Sequence, residues 1–327
     1  MKAVVYTKYG PPDVLQHTEV PKPEPLEDEV LVKVRATSVN RTDCANMRAK
    51  PWIMRLTMGL FKPKNPILGT EFSGEIEAAG QLITSYKEGD KVFGFSDGGL
   101  RSYADYLVLS EKTAFTIMPD KFSYEQAAGC IEGFHYAYNI INKVPLKSGD
   151  AVLVNGASGG IGTATVQLLK YFGAEVTAVC NTKNIALVKS LGAGKVIDYE
   201  KEDFTKIKAH YNFVFDTVGK STFGKSRAIL KPGGAYISSE LGPWSQNLYF
   251  SLITAIFGSL PGQSGKKVKF PYPPNIMRSI TLLKKLIEEG KYKSVIDRKY
   301  PLEQIADAFR YVETGQKTGN VVITISE

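Results

Sequence analysis

Asn155-Gly156-Ala157-Ser158-Gly159-Gly160-Ile161-Gly162 lies between an apolar run, Ala151 to Val154, and a segment, Ile161 to Phe172, whose Ile161, Ala164, Leu168 and Phe172 recur on one helical face. Strand, glycine turn and helix in that order present backbone N–H groups at a helix N-terminus, where unsatisfied donors and the helix dipole favour an anion. Gly156 suits the tight turn, Gly159 and Gly160 let the backbone approach a pyrophosphate, and Ile161 and Gly162 open a helix that must pack close to the sheet. Ser158 either caps that helix or donates to the pyrophosphate. The same residues also fit G-x-S-x-G, the nucleophile elbow of α/β-hydrolases. A hydrolase needs an acid and then a histidine later in the chain, spread over several strands. The sole histidine after Ser158 is His210, with Asp198 and Asp203 just before it. That is too early for a triad, and the turn reads as a dinucleotide loop.

The flanking rhythm agrees. Glu175 to Cys180 is a strand, Ile185 to Leu191 a helix stopped by Gly192, Val196 to Tyr199 a strand, and Asn212 to Val218 a continuous apolar strand of the kind covered on both faces. The sum is an α/β fold with a Rossmann-type doubly wound parallel sheet. NAD-specific sheets carry an Asp or Glu at the end of the second strand to bind the ribose 2′-hydroxyl, whereas this chain has Cys180-Asn181-Thr182-Lys183. Lys183 offers a positive charge and Asn181 and Thr182 hydrogen bonds to a 2′-phosphate, which points to NADP (NADPH); the bland reading is a solvated lysine at a helix start. Tyr199 either lies over the adenosine end or is a half-buried strand tyrosine.

Before about Ser123 the pattern is mostly β, with Val30 to Thr37, Phe72 to Ala78, Lys91 to Phe95 and Ala104 to Leu109 broken by glycine and proline, as in a partly open barrel. Ser123 and Gln126 have capping-box spacing, so a helix begins near Tyr124. Met277, Ile280, Leu283, Leu286 and Ile287 mark an amphipathic helix ended at Gly290, followed by strands at Ser294 to Arg298 and Val321 to Ile325 with a helix at Leu302 to Val312. The expected domains are 1–123, 124–292 and a return of 293–327 to the first. With 327 residues, 43% hydrophobic and 23% charged, the chain has the composition of a globular protein with two cores, not of a disordered one. Leu248 to Leu260 is apolar but interrupted and shorter than the ~20 residues that span a bilayer, so no membrane insertion is expected. The opening MKAVVYTKYG lacks a secretory pattern, and Cys44, Cys130 and Cys180 form no C-x-x-C pair, so cytoplasmic localisation and reduced thiols are expected. The net charge of +8 suits an anionic ligand. Lys62/Lys64 and Lys266/Lys267/Lys269 are the densest basic clusters. They lack the interleaved aromatics of a nucleic-acid site and read as solvated surface.

Several stretches together resemble the medium-chain dehydrogenase/reductase superfamily, in its zinc-independent quinone oxidoreductase-like (zeta-crystallin-like) branch: MKAVVYTKYGPPDVL at the start, ATSVNRTD (Ala36 to Asp43), ILGTEFSGEIEAAG (Ile67 to Gly80), EGDKVFGF (Glu88 to Phe95), VNGASGGIG (Val154 to Gly162), SLGAGKVIDY (Ser190 to Tyr199) and FDTVG (Phe215 to Gly219). The resemblance implies a GroES-like β-barrel domain, a Rossmann domain, a cleft holding nicotinamide and substrate, and a homodimer. Zinc-dependent relatives carry a metal-binding Cys where this chain has Asn40 and a His where it has Thr70, beside a retained Glu71. The four-cysteine lobe of structural zinc is missing too, so no metal is expected. Without a Lewis acid, alcohol oxidation has no evident driver, whereas conjugate hydride transfer to a quinone or enone spreads the developing charge over the substrate's own carbonyl.

Carried over one by one, Asn40 resembles the asparagine that faces the nicotinamide and either donates to a substrate oxygen or braces its loop; Asp43 resembles a brace. In Glu132-Gly133-Phe134-His135-Tyr136, where relatives read Gly-Gly-Leu-Thr-Ala, His135 takes the place of the threonine near the nicotinamide and is a candidate proton donor. Val218 and Gly219 resemble the turn beside the nicotinamide ribose, and Asn320 a C-terminal contact near the nicotinamide amide. The implied function is NADPH-dependent, zinc-independent reduction of quinones or α,β-unsaturated carbonyls, with a small hydrophobic substrate. The alternatives are a non-catalytic, crystallin-like NADPH-binding protein and a zinc-type alcohol dehydrogenase. Arg48 to Lys64 and Leu248 to Leu260 fit either a substrate-bordering or a subunit-facing role.

Overall fold

A computed structural model describes residues 1–208, 210–272 and 275–325. Chain contacts define two compact units, Met1–Glu132 with Ile276–Glu327, and Gly133–Asn275.

The first unit begins with β1 (Lys2–Val5), antiparallel to β2 (Gln16–Glu19). β3 (Glu29–Val39) follows, with Val30, Val32 and Val34 no more than 1% exposed while Lys33 and Arg35 lie on the other face. Then come α1 (Arg41–Arg48), α2 (Arg55–Met58), β4 (Glu71–Ala79), β5 (Lys91–Phe95), β6 (Tyr106–Ser110), β7 (Phe115–Ile117) and α3 (Tyr124–Ala128). α3 starts at the expected capping box: Ser123 Oγ accepts from the Gln126 N–H, and Gln126 returns the bond to the Ser123 N–H.

The second unit takes up α4 (Ile131–Ile141) from its third residue and continues β8 (Ala151–Asn155), α5 (Gly160–Tyr171), β9 (Glu175–Cys180), α6 (Ile185–Leu191), β10 (Lys195–Asp198), β11 (Tyr211–Asp216), α7 (Phe223–Ser226), β12 (Leu230–Ser238), α8 (Gln246–Phe257) and β13 (Lys267–Lys269). Its sheet runs β10-β9-β8-β11-β12-β13, all parallel. The order reverses between β8 and β11, so the switch point of this doubly wound sheet lies beside the glycine turn at the carboxyl end of β8. Val152, Leu153, Val154, Val214 and Phe215 are fully buried, which explains why these strands read as unbroken apolar runs.

The chain re-enters the first unit with α9 (Ile276–Glu288), β14 (Ile296–Pro301), α10 (Ile305–Glu313) and β15 (Asn320–Thr324). The larger sheet there has the order β14-β15-β3-β4-β5-β7, with β6 also paired to β3. Met47, Phe72, Ile76, Tyr103, Phe115 and Phe309 fill its core, each no more than 1% exposed and each worth about 1.5–3 kcal/mol on burial. The expected limits at 123 and 292 are displaced to Glu132 and Ile276. The cause is packing: α3 lies on β3 and β4, where Ser73 Oγ donates to the Tyr124 carbonyl at 2.6 Å, and α9 packs on β7. Among the described residues no helix is long and apolar enough to cross a membrane.

Candidate active site

In the second unit, β8 runs into a turn in which Gly156 takes φ +80. A Cβ there would meet the Val218 side chain at 2.7 Å, and one on Gly162 would meet the Gly156 carbonyl oxygen at 2.1 Å. These two glycines are demanded by the protein's own packing. Gly159 differs: its φ of −78 suits any residue, and a Cβ would meet only the Gly156 oxygen, at 3.6 Å. The space above it is open, and the first-turn N–H groups of Gly160, Ile161 and Gly162 have no intrahelical acceptor. Open space beside unsatisfied N–H groups fits the pyrophosphate of a dinucleotide. Ser158 does not cap the helix. The N-cap is Gly159 and no side chain bonds there, because the turn puts Ser158 one residue too early.

Asp216 organises the neighbouring turn. Wholly buried at the end of β11, its carboxylate accepts from Asn155 Nδ2 (3.0 Å), the Gly219 and Ser221 N–H groups (3.1 and 2.9 Å), the Val218 N–H (3.4 Å) and the Tyr236 hydroxyl (3.0 Å). It thereby ties the carboxyl ends of β8, β11 and β12 together and sets Val218 and Gly219 in place. Its partners within five residues are backbone N–H groups, which a sequence does not single out, and its side-chain partners Asn155 and Tyr236 are distant along the chain, although an Asp closing an apolar strand is itself a signal.

At the carboxyl end of β9 the absence of a carboxylate is offset by what β10 brings. Thr182 donates its N–H to Glu200 (3.1 Å) and its hydroxyl to Asp198 (2.5 Å), and Asn181 Oδ1 accepts from Asn184 Nδ2 (2.7 Å). Thr182 is therefore engaged by the carboxylates of Asp198 and Glu200. Lys183 is exposed beside it, and Tyr199, 53% exposed, donates its N–H to the Cys180 carbonyl at 3.0 Å, so the ends of β9 and β10 gather Asn181, Lys183 and Tyr199. His135 lies in α4, its ring centred 5.4 Å from that of Tyr136, and is 0% exposed.

In the first unit, the turn from β3 into α1 builds a buried polar cluster. Asn40 is the N-cap of α1 and shares a capping box with Asp43. Its Oδ1 accepts from the Asp43 N–H at 2.9 Å and its Nδ2 donates to Thr70 Oγ1 at 2.8 Å, so of its two alternatives the bracing role is the one its contacts display. Glu71 accepts from the Ser38 hydroxyl and from the Glu132 N–H (2.9 Å), while Glu132 accepts from the Thr42 hydroxyl at 2.9 Å. Burial pushes the Glu71 carboxyl up to about 8 and that of Asp43 up to about 7, and it raises Glu132 also. Burial pulls the Lys317 ammonium down, opposed by the charges of Glu132 and Glu71, and its Nζ donates to the Gly319 carbonyl at 2.6 Å. Asn320, 5% exposed, points its amide at the Val295 carbonyl (3.2 Å). Glu132 and Lys317 were missed as members of one cluster, since they lie 185 residues apart in sequence; the Asn40-x-x-Asp43 spacing was a readable capping signal. Close by, Tyr6, Asn46, Met58, Ile67, Leu68 and Arg101 line a cavity of about 200 Å³ under the 52–64 segment.

Comparison with known proteins places this geometry. The alcohol dehydrogenase GroES-like domain family matches residues 26–120, and the zinc-binding dehydrogenase family matches residues 191–323. A 2-methylene-furan-3-one reductase of Solanum lycopersicum is 33% identical, over 99% of this chain and 79% of its own length. An NADPH-dependent alkenal/one oxidoreductase, chloroplastic, of Arabidopsis thaliana is 31% identical over the same shares. The solved quinone oxidoreductase from Coxiella burnetii superposes with a TM-score of 0.85 at 28% identity, covering 100% of this chain and 99% of that one. With a GroES-like first unit, a Rossmann sheet and relatives that are oxidoreductases throughout its length, the chain belongs to the medium-chain dehydrogenase/reductase superfamily, in its quinone oxidoreductase-like branch, and is an NAD(P)H-dependent oxidoreductase.

Proposed function

We propose that the protein is a zinc-free, NADPH-dependent reductase of quinones or α,β-unsaturated carbonyls. The observation that carries the reading is the Asn40–Thr70 hydrogen bond. The two positions that resemblance equates with zinc ligands are bonded to one another, beside a Glu71 whose carboxyl is held near neutral by burial. That donor set suits hydrogen bonding to a substrate oxygen better than it suits a dication. The first turn of α5 would hold the pyrophosphate, Val218 and Gly219 the nicotinamide ribose, and Lys183 the 2′-phosphate, with Tyr199 at the adenosine. When bound, NADPH supplies the hydride. Asn40 keeps one amide hydrogen beyond the one it gives Thr70 and can direct it to a substrate carbonyl, where it stabilises developing negative charge. The exposed Trp52, Ile53, Leu56 and Phe61 suit a hydrophobic substrate, the exposed Leu248, Leu252 and Ile256 on α8 suit a homodimer, and three buried thiols suit a reducing compartment such as the cytoplasm.

The test is loss of NADPH absorbance with chelator-treated protein given an ortho-quinone or a 2-alkenal, with NADH in parallel. Turnover with NADPH well above NADH is expected. Saturable NADPH binding with no turnover on either acceptor would favour the binding-protein alternative, and activity restored only by added zinc would favour the alcohol dehydrogenase one.

A further inference from the structure

The opposite end of the parallel sheet carries a second charged pocket. The segment after α4, the first residues of β11, the first half of β12, and β13 enclose a cavity of about 290 Å³ whose rim includes Lys143, Lys231, Lys267 and Lys269, with Asn212 and Gly233. All four lysines are half-buried, so their stems are packed and their ammonium groups are gathered rather than spread over solvent. Their visible partners are neutral: Lys143 Nζ donates to the Tyr272 carbonyl at 2.9 Å and Lys231 Nζ to Asn212 Oδ1 at 2.8 Å, an oxygen that also accepts the Ala151 N–H. Among the described residues none of the four forms an ion pair with a carboxylate. Lys143 is pulled below the usual lysine range, by burial first and by the charge of Lys269 second. At Gly233 a Cβ would meet nothing within 4 Å, so the rim is open there.

Like charges drawn together around a concavity without a counter-charge repel, and an anion seated among them relieves that repulsion. We infer that this pocket is a second anion site of the Rossmann unit, which takes a phosphate or diphosphate group. Among the described residues that line the cavity the one aromatic is Phe213, 7% exposed, so the lining itself offers no face on which a base could stack, and the recognition is of the phosphate. The strands run from this end to the glycine turn, and five or six residues at about 3.3 Å each separate the two sites by roughly 15–20 Å. Both sites can therefore be filled at once, and the inference does not rest on the reductase reading.

Isothermal titration of the whole protein with sodium pyrophosphate at low ionic strength, after saturation with NADPH, tests it. A separate NADPH titration of each protein shows whether the coenzyme reading itself holds. A parallel arm sediments the protein with phosphatidylcholine vesicles with and without phosphatidic acid, which distinguishes a free diphosphate from a lipid headgroup as the source. Saturable binding in either arm, weakened at least tenfold in Lys267→Gln/Lys269→Gln and again in Lys143→Gln, is the expected result. Acylation of Lys143 should also slow when the anion is bound, because the anion raises its pKa. Absence of saturable binding in both arms, binding unchanged in the variants, or pyrophosphate binding abolished by NADPH would each overturn the inference, the last by assigning the anion to the glycine turn.

Discussion

Alanine at Gly162 and at Gly159 should fail in different ways, and the difference tests whether the turn is built for the protein or for a ligand. At Gly162 the new methyl group would lie 2.1 Å from the Gly156 carbonyl oxygen and 2.8 Å from Ala157 backbone atoms, none of which is the end of a flexible side chain. Relief requires moving α5 away from the turn by about 1 Å, an overpacking strain of roughly 1–3 kcal/mol. In a unit of this size that lowers Tm by about 3–12 °C. At Gly159 the backbone is already ordinary for alanine and the methyl group makes only a 3.6 Å contact. Alanine restricts the unfolded chain, worth about 0.4–1 kcal/mol, but it is a poorer N-cap than glycine by a similar amount, so stability should change by no more than about 1 kcal/mol. The methyl group would instead stand over the free N–H groups of the first turn. Losing one charge-assisted bond to a pyrophosphate, worth about 1.5–3 kcal/mol, should raise the Kd for NADPH by roughly 10- to 150-fold. Thermal unfolding by circular dichroism and NADPH titration by tryptophan fluorescence read the two effects separately. A Gly159→Ala protein that binds NADPH as tightly as the parent would refute the assignment of the cradle, and a Gly162→Ala protein as stable as the parent would refute the packing argument.

The remaining predictions concern charge and buried polarity. Lys183→Ala should weaken NADPH binding by about tenfold, at the low end for a charged bond because the side chain is exposed, and leave NADH binding unchanged; equal losses for both would remove Lys183 from the 2′-phosphate. Asp216→Asn puts an amide nitrogen where an oxygen accepts, so at least one buried donor loses its partner at a cost of about 1–3 kcal/mol, read as a lower urea midpoint together with weaker NADPH binding. Asp43 and Glu71 have folded-state pKa values raised to about 7 and about 8. The folded protein thus holds protons the unfolded chain has already released, and the stability these carboxyls lend is full below about pH 4 and lost as pH rises through 7 and 8. The slope is at most about 1.4 kcal/mol per pH unit for each carboxyl. Urea midpoints measured between about pH 5 and pH 8.5 should fall with rising pH, and Asp43→Asn or Glu71→Gln should flatten the fall; a profile identical to that of the parent would show that the carboxyl in question is not the source.

What could be read from the sequence follows from how local each constraint is. The glycine turn was legible because its demands, a left-handed residue at Gly156 and close approach at Gly162, are met within eight residues. The capping box at Ser123 and Gln126 was legible for the same reason. β3 was legible from the alternation of its valines, although it extends to Val39 because both of its faces are covered beyond Arg35. α8 escaped because Leu248, Leu252 and Ile256 lie on its exposed side while its fully buried residues are the polar Asn247 and Thr254, so no hydrophobic period marks the buried face. The end of β9 misled in part, since a missing carboxylate on one strand says nothing of Asp198 and Glu200 delivered by the next. Least legible of all is protonation. In the sequence Glu71 reads as the residue a metal site would retain. In the fold it accepts from Ser38 and the Glu132 backbone, lies near two further buried carboxyls, and is pushed toward its neutral form. A carboxyl that is neutral near pH 7 is a poor ligand for a dication and a good hydrogen-bond donor.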